Sequence, residues 1–420
     1  MDASFKTVDW LKDKTIYEVN IRQYTESGSF KAFESHIPRL KEMGVEILWL
    51  MPITPISEKA RKGSMGSYYA CSSYTKINPE FGNEQDFLSL IHLAHKHEMK
   101  VIIDWVANHT GRQHEWMETN PDWFSRDEEG NFTERNGWED VVDLNFENQD
   151  MRAALIGAMQ YWVRTFNIDG FRCDMAHLVP LAFWSSARKA CETIKPLFWL
   201  AECEDIEYHS VFDASYAWSW MHETEKLAKG QSGVNEIYNL LHDYAQYPKS
   251  AYKLFFTSNH DENTWNGTEY EKYGIVAKAW AVFTFMWKGI PLIYSGQEQP
   301  NHKRLAFFDK DNIEWTNTPQ LTSFYKTLIQ LRKQYSCLVE GDSFNLPTQS
   351  NEVMAFLRYD HQIILVVLNF SHQLQKIELE HEFLKGQFLN AFSGLSFAFN
   401  KQVSFELMPG DYFVYVKSES

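Results

Sequence analysis

Short apolar segments alternate with amphipathic segments along most of this 420-residue chain, up to about residue 335. Runs such as VIID are almost entirely apolar, which is typical of parallel strands that are buried on both faces. The amphipathic segments repeat apolar residues near the helical period. Eight strands are predicted, at residues 15–24, 47–52, 101–106, 170–175, 198–203, 211–218, 253–260 and 290–294. Six helices are predicted, at residues 30–43, 84–99, 148–166, 181–194, 274–288 and 320–335.

This alternation of strands and helices predicts an α/β fold with a parallel sheet. Eight repeats of the unit favour closure of the sheet into a (β/α)8 TIM barrel. The structural alternative is an open, doubly wound sheet. No glycine-rich phosphate loop follows the first strand, which argues against the nucleotide-binding form of that alternative.

Two regions depart from the alternation. Residues 108–148 follow the third strand, are polar and rich in Trp, Gly, Asp and Glu, and lack helical periodicity. A loop of that length is usually functional or a small subdomain. Beyond residue 339, runs such as QIILVVLNF and DYFVYVK predict an antiparallel β-domain. The predicted organisation is a barrel over 1–107 and 149–338, an inserted subdomain B over 108–148, and a C-terminal β-sandwich over 339–420.

Charge narrows the choice of partners. The formal net charge is −16, and an acidic surface repels nucleic acids and anionic membranes. A neutral substrate is compatible with such a surface. No apolar run reaches the length of a membrane span, and nothing in the sequence indicates an oligomeric state.

The cysteines and the N-terminus bear on the cellular compartment. The five cysteines are odd in number and no pair has metal-ligand spacing, so free thiols in a reducing compartment are expected. The N-terminal sequence MDASFKTVDW lacks the basic and apolar segments of a signal peptide. A cytoplasmic location is predicted. The alternative is a periplasmic or secreted protein whose signal peptide has been removed.

Polar side chains gather where four of the predicted strands end. In a barrel the carboxyl ends of the strands converge on one pocket, so these side chains are expected to share one site. They are Asp104, Asn108 and His109 after the third strand, Arg172 and Asp174 after the fourth, Glu202 after the fifth, and His260 and Asp261 after the seventh.

Several carboxylates at one site suit the cleavage of a glycosidic bond. One protonates the leaving oxygen, while another attacks the sugar or stabilises the developing oxocarbenium ion. A separation of about 5–5.5 Å would make the second carboxylate a nucleophile and retain the anomeric configuration. Arg172 stands two residues before Asp174, on the same side of the strand, where it would hold Asp174 ionised. Glu202 must be protonated during part of the cycle, so we expect its pKa to be raised.

The motifs around these residues are DWVANH (104–109), GFRCD (170–174), LAECE around Glu202, and SNHD (258–261). They are flanked by GVEILWLMPI (44–53) and GIPLIYSGQE (289–298). Together they resemble glycoside hydrolase family 13, the α-amylase family, over about residues 15–335. The resemblance implies a retaining hydrolase of α-1,4-glucosidic bonds, with an α-glucan or a maltooligosaccharide as substrate.

The resemblance also implies a role for each matching residue. Asp174 matches the nucleophile, Glu202 the acid/base, and Asp261 the carboxylate that stabilises the transition state. The remaining matches are substrate-binding: Arg172 partners the nucleophile, His109 and His260 hydrogen-bond the sugar in subsite −1, Tyr69 stacks on that sugar, Asp104 organises the site, and His177 lies on the leaving-group side. His177 holds the first position of a Lys-His pair found in many α-amylases and Leu178 the second, so recognition of the leaving group is expected to differ.

Calcium is the one metal that the resemblance suggests. Asn108 matches a calcium ligand of some family members, and Asp143 is a weak candidate as its companion. Asn108 could equally be a hydrogen-bonded turn residue. No cofactor is expected to be required for the chemistry.

Two other functions compete with hydrolysis. A transglycosylase would use the same nucleophile and acid/base, with a sugar acceptor in place of water. Aromatic residues such as Trp123 or Trp138 could favour an acceptor, although they could equally pack the inserted subdomain. A non-catalytic glucan-binding barrel is the third reading, and the presence of all three carboxylates argues against it.

Overall fold

The computed structural model describes residues 5–418, and its centre is a closed barrel of parallel strands. The first ten strands are β1 (Ile16–Val19), β2 (Ile47–Leu50), β3 (Lys100–Trp105), β4 (His109–Gly111), β5 (Val141–Asp143), β6 (Gly170–Cys173), β7 (Phe198–Ala201), β8 (Ala214–Tyr216), β9 (Tyr252–Phe255) and β10 (Ile290–Tyr294). The barrel order is β1-β10-β9-β8-β7-β6-β3-β2, so the first and last barrel strands pair and close the ring. The predicted (β/α)8 barrel is confirmed.

Helices lie around the barrel and in the segments that connect its strands. They are α1 (Ile21–Tyr24), α2 (Phe30–Glu34), α3 (Ile37–Met43), α4 (Glu84–Lys96), α5 (Trp116–Thr119), α6 (Gln149–Phe166), α7 (Leu181–Glu192), α8 (Trp218–Ala228), α9 (Val234–Ala245), α10 (Glu269–Tyr273), α11 (Ala277–Met286) and α12 (Thr322–Gln334). The barrel strands are buried almost throughout, which fits their apolar sequences. None of the helices within residues 5–418 is long and apolar enough to cross a membrane.

Some element boundaries differ from the sequence predictions. The predicted helix at 30–43 is divided into α2 and α3, and Pro38 lies in the first turn of α3, where its missing N–H is tolerated. The first strand ends at Val19 rather than at residue 24, because α1 follows it. The predictions missed α8 and α9, which connect β8 to β9.

The inserted segment after β3 contains a small antiparallel pair, β4 and β5. His109 in β4 lies opposite Asp143 in β5. The segment otherwise consists of turns and short helical stretches, including α5. It therefore rises from the end of a barrel strand that carries predicted site residues.

The C-terminal part is antiparallel. Its strands are β11 (Asp342–Leu346), β12 (Val353–Tyr359), β13 (Ile363–Asn369), β14 (Gln375–Glu380), β15 (Gly386–Asn390), β16 (Ser396–Phe399), β17 (Gln402–Leu407) and β18 (Tyr412–Lys417). They form a six-stranded sheet in the order β11-β12-β13-β18-β15-β16 and a two-stranded sheet of β14 and β17. The predicted antiparallel β-region is confirmed, whereas the exact domain boundaries stay a prediction.

The central strands β12 and β13 of the larger C-terminal sheet are buried on both faces. Along β12, Met354 and Phe356 belong to the same apolar core as the barrel, while Val353 and Ala355 pack with residues of the two-stranded sheet. On the barrel side, the rings of Trp287 and Phe356 meet edge to face at 5.0 Å between centroids. This continuous core fixes the C-terminal sheets against α11 and the loop that follows it.

Candidate active site

A cavity of about 350 Å³ opens where the barrel strands end. Because the strands are parallel, the residues that directly follow β6, β7 and β9 reach the same end of the barrel. The cavity collects six of the residues predicted from the motifs, namely Tyr69, His109, Asp174, Glu202, His260 and Asp261.

Arg172 lies behind the cavity wall and is fully buried. Its Nη1 donates hydrogen bonds to Asp104 Oδ1 at 3.0 Å and to Asp174 Oδ1 at 2.9 Å. Its Nη2 lies 2.9 Å from Glu202 Oε2, and its Nε donates to the Tyr216 hydroxyl at 3.1 Å. One guanidinium therefore contacts three carboxylates and holds their relative positions.

Burial controls the protonation of the two carboxyl groups that face the cavity. Burial raises the pKa of Asp174 to about 6, with Arg172 opposing the shift and Asp104 adding to it. Burial likewise raises the pKa of Glu202 to about 7, again against Arg172 and with help from Asp174. Near neutral pH the site can thus hold one ionised and one protonated carboxyl group, as general acid catalysis beside a nucleophile requires.

The backbone between these two carboxylates is constrained. Met175 follows Asp174 and adopts a left-handed conformation with φ of 41°, which is uncommon for a residue with a side chain. In this conformation its N–H donates to Glu202 Oε2 at 2.8 Å. The strained residue therefore ties the end of β6 to the carboxylate that follows β7.

His260 is the centre of a second polar cluster. Its Nδ1 lies 2.5 Å from Glu18 Oε1, and its Nε2 lies 2.8 Å from the Tyr69 hydroxyl and 3.2 Å from Asp261 Oδ2. Burial opposes a charge here, but Asp261 and Glu18 raise the pKa of His260 to about 9. Its imidazole is thus cationic at neutral pH, while the Tyr69 hydroxyl donates onward to Asp104 Oδ2 at 3.1 Å.

His109 is held in the opposite protonation state. It is buried, and the burial lowers its pKa to about 4, so the ring is neutral at pH 7. The side-chain amide of Asn108 donates to its Nδ1 at 3.1 Å. The Trp138 ring lies 5.2 Å from the His109 ring between centroids and also lines the cavity. The two histidines therefore offer different hydrogen-bonding characters to a ligand.

Irregular segments form the outer wall of the cavity. Lys62, from the connection after β2, lies 3.6 Å from the Asp140 carboxylate of the inserted segment. The next turn is fixed by Ser64, whose hydroxyl and N–H both donate to Asp309. Phe307, which like Asp309 lies in the connection after β10, stacks its ring on Tyr69 at 6.2 Å between centroids. Three separate loops therefore meet around the mouth of the cavity.

Not every predicted residue faces the cavity. Asp104 and Arg172 are buried behind its wall, where they contact lining residues. His177 lies in the turn Ala176–Leu178, exposed to solvent and outside the lining, so its role on the leaving-group side stays a prediction. Sequence reasoning missed Glu18, the one charged side chain of β1, and Tyr216, the last residue of β8.

The candidate calcium ligands Asn108 and Asp143 already have partners within the protein, and calcium binding stays a prediction. Asp143 is buried, but its Oδ2 accepts from Arg135 Nε at 2.9 Å and from the Thr133 hydroxyl at 3.1 Å. Asn108 turns its amide to His109. Within residues 5–418, no cluster of three or more His, Cys, Asp or Glu side chains could hold a metal ion. At Asp143 a guanidinium supplies the positive charge.

Comparison with known proteins agrees with this geometry. The family model of the α-amylase catalytic domain matches residues 4–123 and 119–318. Alpha-amylase MalA of Haloarcula japonica is 28% identical over 392 residues, which cover 87% of this chain and 56% of that protein. This chain thus spans little more than half the length of that relative.

Two solved structures are similar over nearly their whole lengths. A noncanonic maltogenic alpha-amylase, AmyB, of Thermotoga neapolitana has a TM-score of 0.89 and 30% identity, and the match covers 98% of this chain and 100% of that one. An alpha-amylase of Lactobacillus plantarum has a TM-score of 0.88 and 29% identity, covering 97% and 99%. This chain therefore belongs to the α-amylase family, glycoside hydrolase family 13.

Proposed function

We propose that this glycoside hydrolase cleaves α-1,4-glucosidic bonds of maltooligosaccharides or related α-glucans with retention of configuration. The observation that carries the proposal is the pairing of Asp174 and Glu202 through adjacent nitrogens of one guanidinium, each at 2.9 Å. Such close carboxylates suit a nucleophile and an acid/base rather than a pair separated by a water molecule. The names of the similar α-amylases support the choice of substrate.

In the first step, the protonated Glu202 donates its proton to the glycosidic oxygen. The Asp174 carboxylate attacks the anomeric carbon as the bond to the leaving sugar breaks, which gives a covalent glucosyl ester. In the second step, Glu202, now ionised, accepts a proton from water. The water oxygen bonds to the anomeric carbon, Asp174 leaves as a carboxylate, and two inversions give net retention.

The surrounding residues stabilise the sugar during both steps. Asp261 and the cationic His260 lie on one side of the cavity, and the neutral His109 lies in another part of its wall. Hydrogen bonds from such groups strengthen as charge develops on the sugar ring. The Tyr69 ring offers an apolar face to the sugar in subsite −1.

The first experiment is incubation with maltooligosaccharides of increasing length, followed by product separation and NMR of the first-formed anomer. We expect shorter products that appear first as the α-anomer. Asp174→Asn should abolish them, whereas Asp150→Asn, which makes the same change at an exposed helical position, should not. First-formed β-anomer would contradict retention.

The same incubation separates hydrolysis from transfer. Products longer than the starting sugar would show that a sugar acceptor replaces water, and the protein would then be a transglycosylase with the same nucleophile. If wild-type protein leaves every maltooligosaccharide intact, the proposed substrate is wrong.

A further inference from the structure

A second cavity, of about 550 Å³, lies between the barrel and the C-terminal sheets. Its walls come from the end of α9 and the turn before β9, from residues 287–289 before β10, and from residues 340–345 around β11. These barrel residues lie at the amino ends of β9 and β10, away from the active-site cavity. We refer to this second space as the interface cavity.

Two buried guanidinium groups beside this cavity have no carboxylate partner. Arg332 and Arg358 are both almost completely buried, and within residues 5–418 neither forms an ion pair. The Nε of each has no hydrogen-bond acceptor. Their other nitrogens donate only to backbone carbonyls, those of Phe285, Trp287 and Gly289 for Arg332, and those of Cys337, Leu338 and Gly341 for Arg358.

Lysines add to this positive charge. Lys249 and Lys288 line the cavity at solvent-exposed positions, and in the described part of the chain neither ammonium has a carboxylate within 4 Å. Lys253 is buried, lies 4.3 Å from the centroid of the Tyr247 ring, and donates to the Ser215 hydroxyl at 3.0 Å. Burial lowers the pKa of Lys253 to about 8.

Acidic side chains do not balance these cations. The carboxylates that line the cavity are Glu340 and Asp342, and Glu340 already pairs with Lys12 at 2.5 Å. Burial, followed by the charges of Arg358 and Lys249, lowers the pKa of Lys288. A concave surface with excess positive charge is unusual in a chain whose net charge is −16. Uncompensated buried charge is costly, so an anion would be stabilised here.

We propose that the interface cavity binds a small molecule that carries a phosphate group. A phosphate can accept hydrogen bonds from several cations at once, which suits lysines that project from separate wall segments. The Tyr244 and Tyr247 rings line the same cavity and offer apolar faces to an organic group attached to the phosphate. The cavity volume falls within the range of small-molecule sites, about 300–1,000 Å³.

Calorimetric titration of the full chain tests this proposal. The ligands are inorganic phosphate, a hexose phosphate and the unphosphorylated hexose, at constant ionic strength. The test variant is Lys249→Gln/Lys288→Gln, because both side chains are exposed and their replacement should not disturb folding. The control variant is Lys31→Gln/Lys189→Gln, which removes the same charge at exposed positions that do not line the interface cavity.

We expect at least one phosphate-bearing ligand to bind wild type and the control variant equally. Binding to Lys249→Gln/Lys288→Gln should be weaker by about tenfold or more, because charge-assisted hydrogen bonds are lost. Equal affinities for inorganic phosphate and the hexose phosphate would identify phosphate itself as the ligand. A higher affinity for the hexose phosphate would identify an organic phosphate. Absence of binding by both, equal loss in the control variant, or equal binding of the neutral hexose would overturn the proposal. The outcome is independent of glycosidase activity.

Discussion

Two buried arginine environments in this protein differ in their counter-charges. Arg172 contacts three carboxylates, and although burial opposes its charge, Asp104 and Glu202 raise its pKa well above its usual range. Arg358 donates hydrogen bonds to backbone carbonyls and, within residues 5–418, pairs with no carboxylate, and burial lowers its pKa to about 10. The guanidinium of Arg172 thus has more negative charge around it than it can neutralise, whereas the guanidinium of Arg358 has no carboxylate paired with it among the residues that the structure describes.

The difference indicates the charge of the species that each region would stabilise. Around Arg172 the surplus is negative, and a partly positive transition state is the species that such a site stabilises. Around Arg358 the surplus is positive, and an anion is what would relieve it. Both surpluses cost stability in the free protein, which is common where a site is arranged for a ligand rather than for folding.

The largest effect on activity is expected when the planar guanidinium of Arg172 is replaced. Arg172→Lys keeps one positive charge but cannot contact three carboxylates in a fixed geometry. We expect kcat/KM on a maltooligosaccharide to fall by about 100- to 1,000-fold. Arg164→Lys, at an exposed position in α6, is the matched control and should change it little. A loss of less than about threefold in Arg172→Lys would show that charge alone suffices.

The pH dependence of activity tests the negative surplus directly. The proposed first step requires Asp174 ionised and Glu202 protonated, and their pKa values are about 6 and about 7. We therefore expect kcat/KM to rise with pH through about 6 and to fall through about 7. At pH 9 the activity should be about 100-fold below its maximum. Activity that stays constant from pH 7 to 9 would contradict the assignment of Glu202 as the acid.

Removing one acidic charge should stabilise the fold. Burial raises the pKa of Glu202 from 4.5 to about 7, so its ionised form is disfavoured in the folded state. The free-energy cost of ionising Glu202 in the folded state is absent below about pH 4.5. It grows between pH 4.5 and about 7 and is complete above about pH 7. We expect Glu202→Gln to raise the free energy of unfolding by about 1–3 kcal/mol at pH 8 and little at pH 4.5.

Thermal denaturation at the two pH values measures this effect. Glu207→Gln makes the same change at an exposed position and should have almost no effect at either pH. A melting temperature of Glu202→Gln below that of wild type at pH 8 would mean that the ion pair with Arg172 outweighs the burial of the carboxylate.

The smallest effect is expected from a cation of the interface cavity. Burial lowers the pKa of Lys253 from 10.5 to about 8, so its charged form is disfavoured in the folded state. Wild type bears the full penalty below pH 8 and loses it between pH 8 and 10.5. Lys253→Met should therefore be more stable than wild type by about 1–2 kcal/mol at pH 7, with a smaller difference at pH 10.

Chemical denaturation at both pH values, with Lys189→Met as the exposed control, tests this expectation. A difference that does not change with pH would show that the loss of the hydrogen bonds of Lys253 to Ser215 and Tyr216, rather than its charge, decides the outcome.

The sequence could predict that the site carboxylates lie together, because each of them follows a barrel strand at the same end of the barrel. Asp174 and Glu202 follow consecutive parallel strands, so a barrel brings them together whatever the loops do. The wall contact of Lys62 with Asp140 could not be predicted in this way. It joins two long segments without periodicity, and such loops are positioned by tertiary packing rather than by local sequence.

Polar residues on the buried face of α8 explain why the sequence pattern did not predict this helix. In α8 the buried face includes Glu223 and Thr224 beside Trp220 and Met221, so polar residues interrupt the apolar spacing. Glu18 was missed for the converse reason. It is a lone acid within the apolar strand IYEV, and only the folded barrel shows that His260 lies against it.

Closure of the ring between β1 and β10 has a consequence for folding kinetics. The contact of Glu18 with His260 joins residues 242 positions apart, so it cannot form until the two ends of the barrel have met. Contacts between such distant residues form slowly, because a long loop must first close. During refolding, secondary structure should therefore return before enzymatic activity. Fragments that lack β1 should retain the carboxylates that follow β6 and β7 but lose Glu18, one of the two carboxylates that raise the pKa of His260.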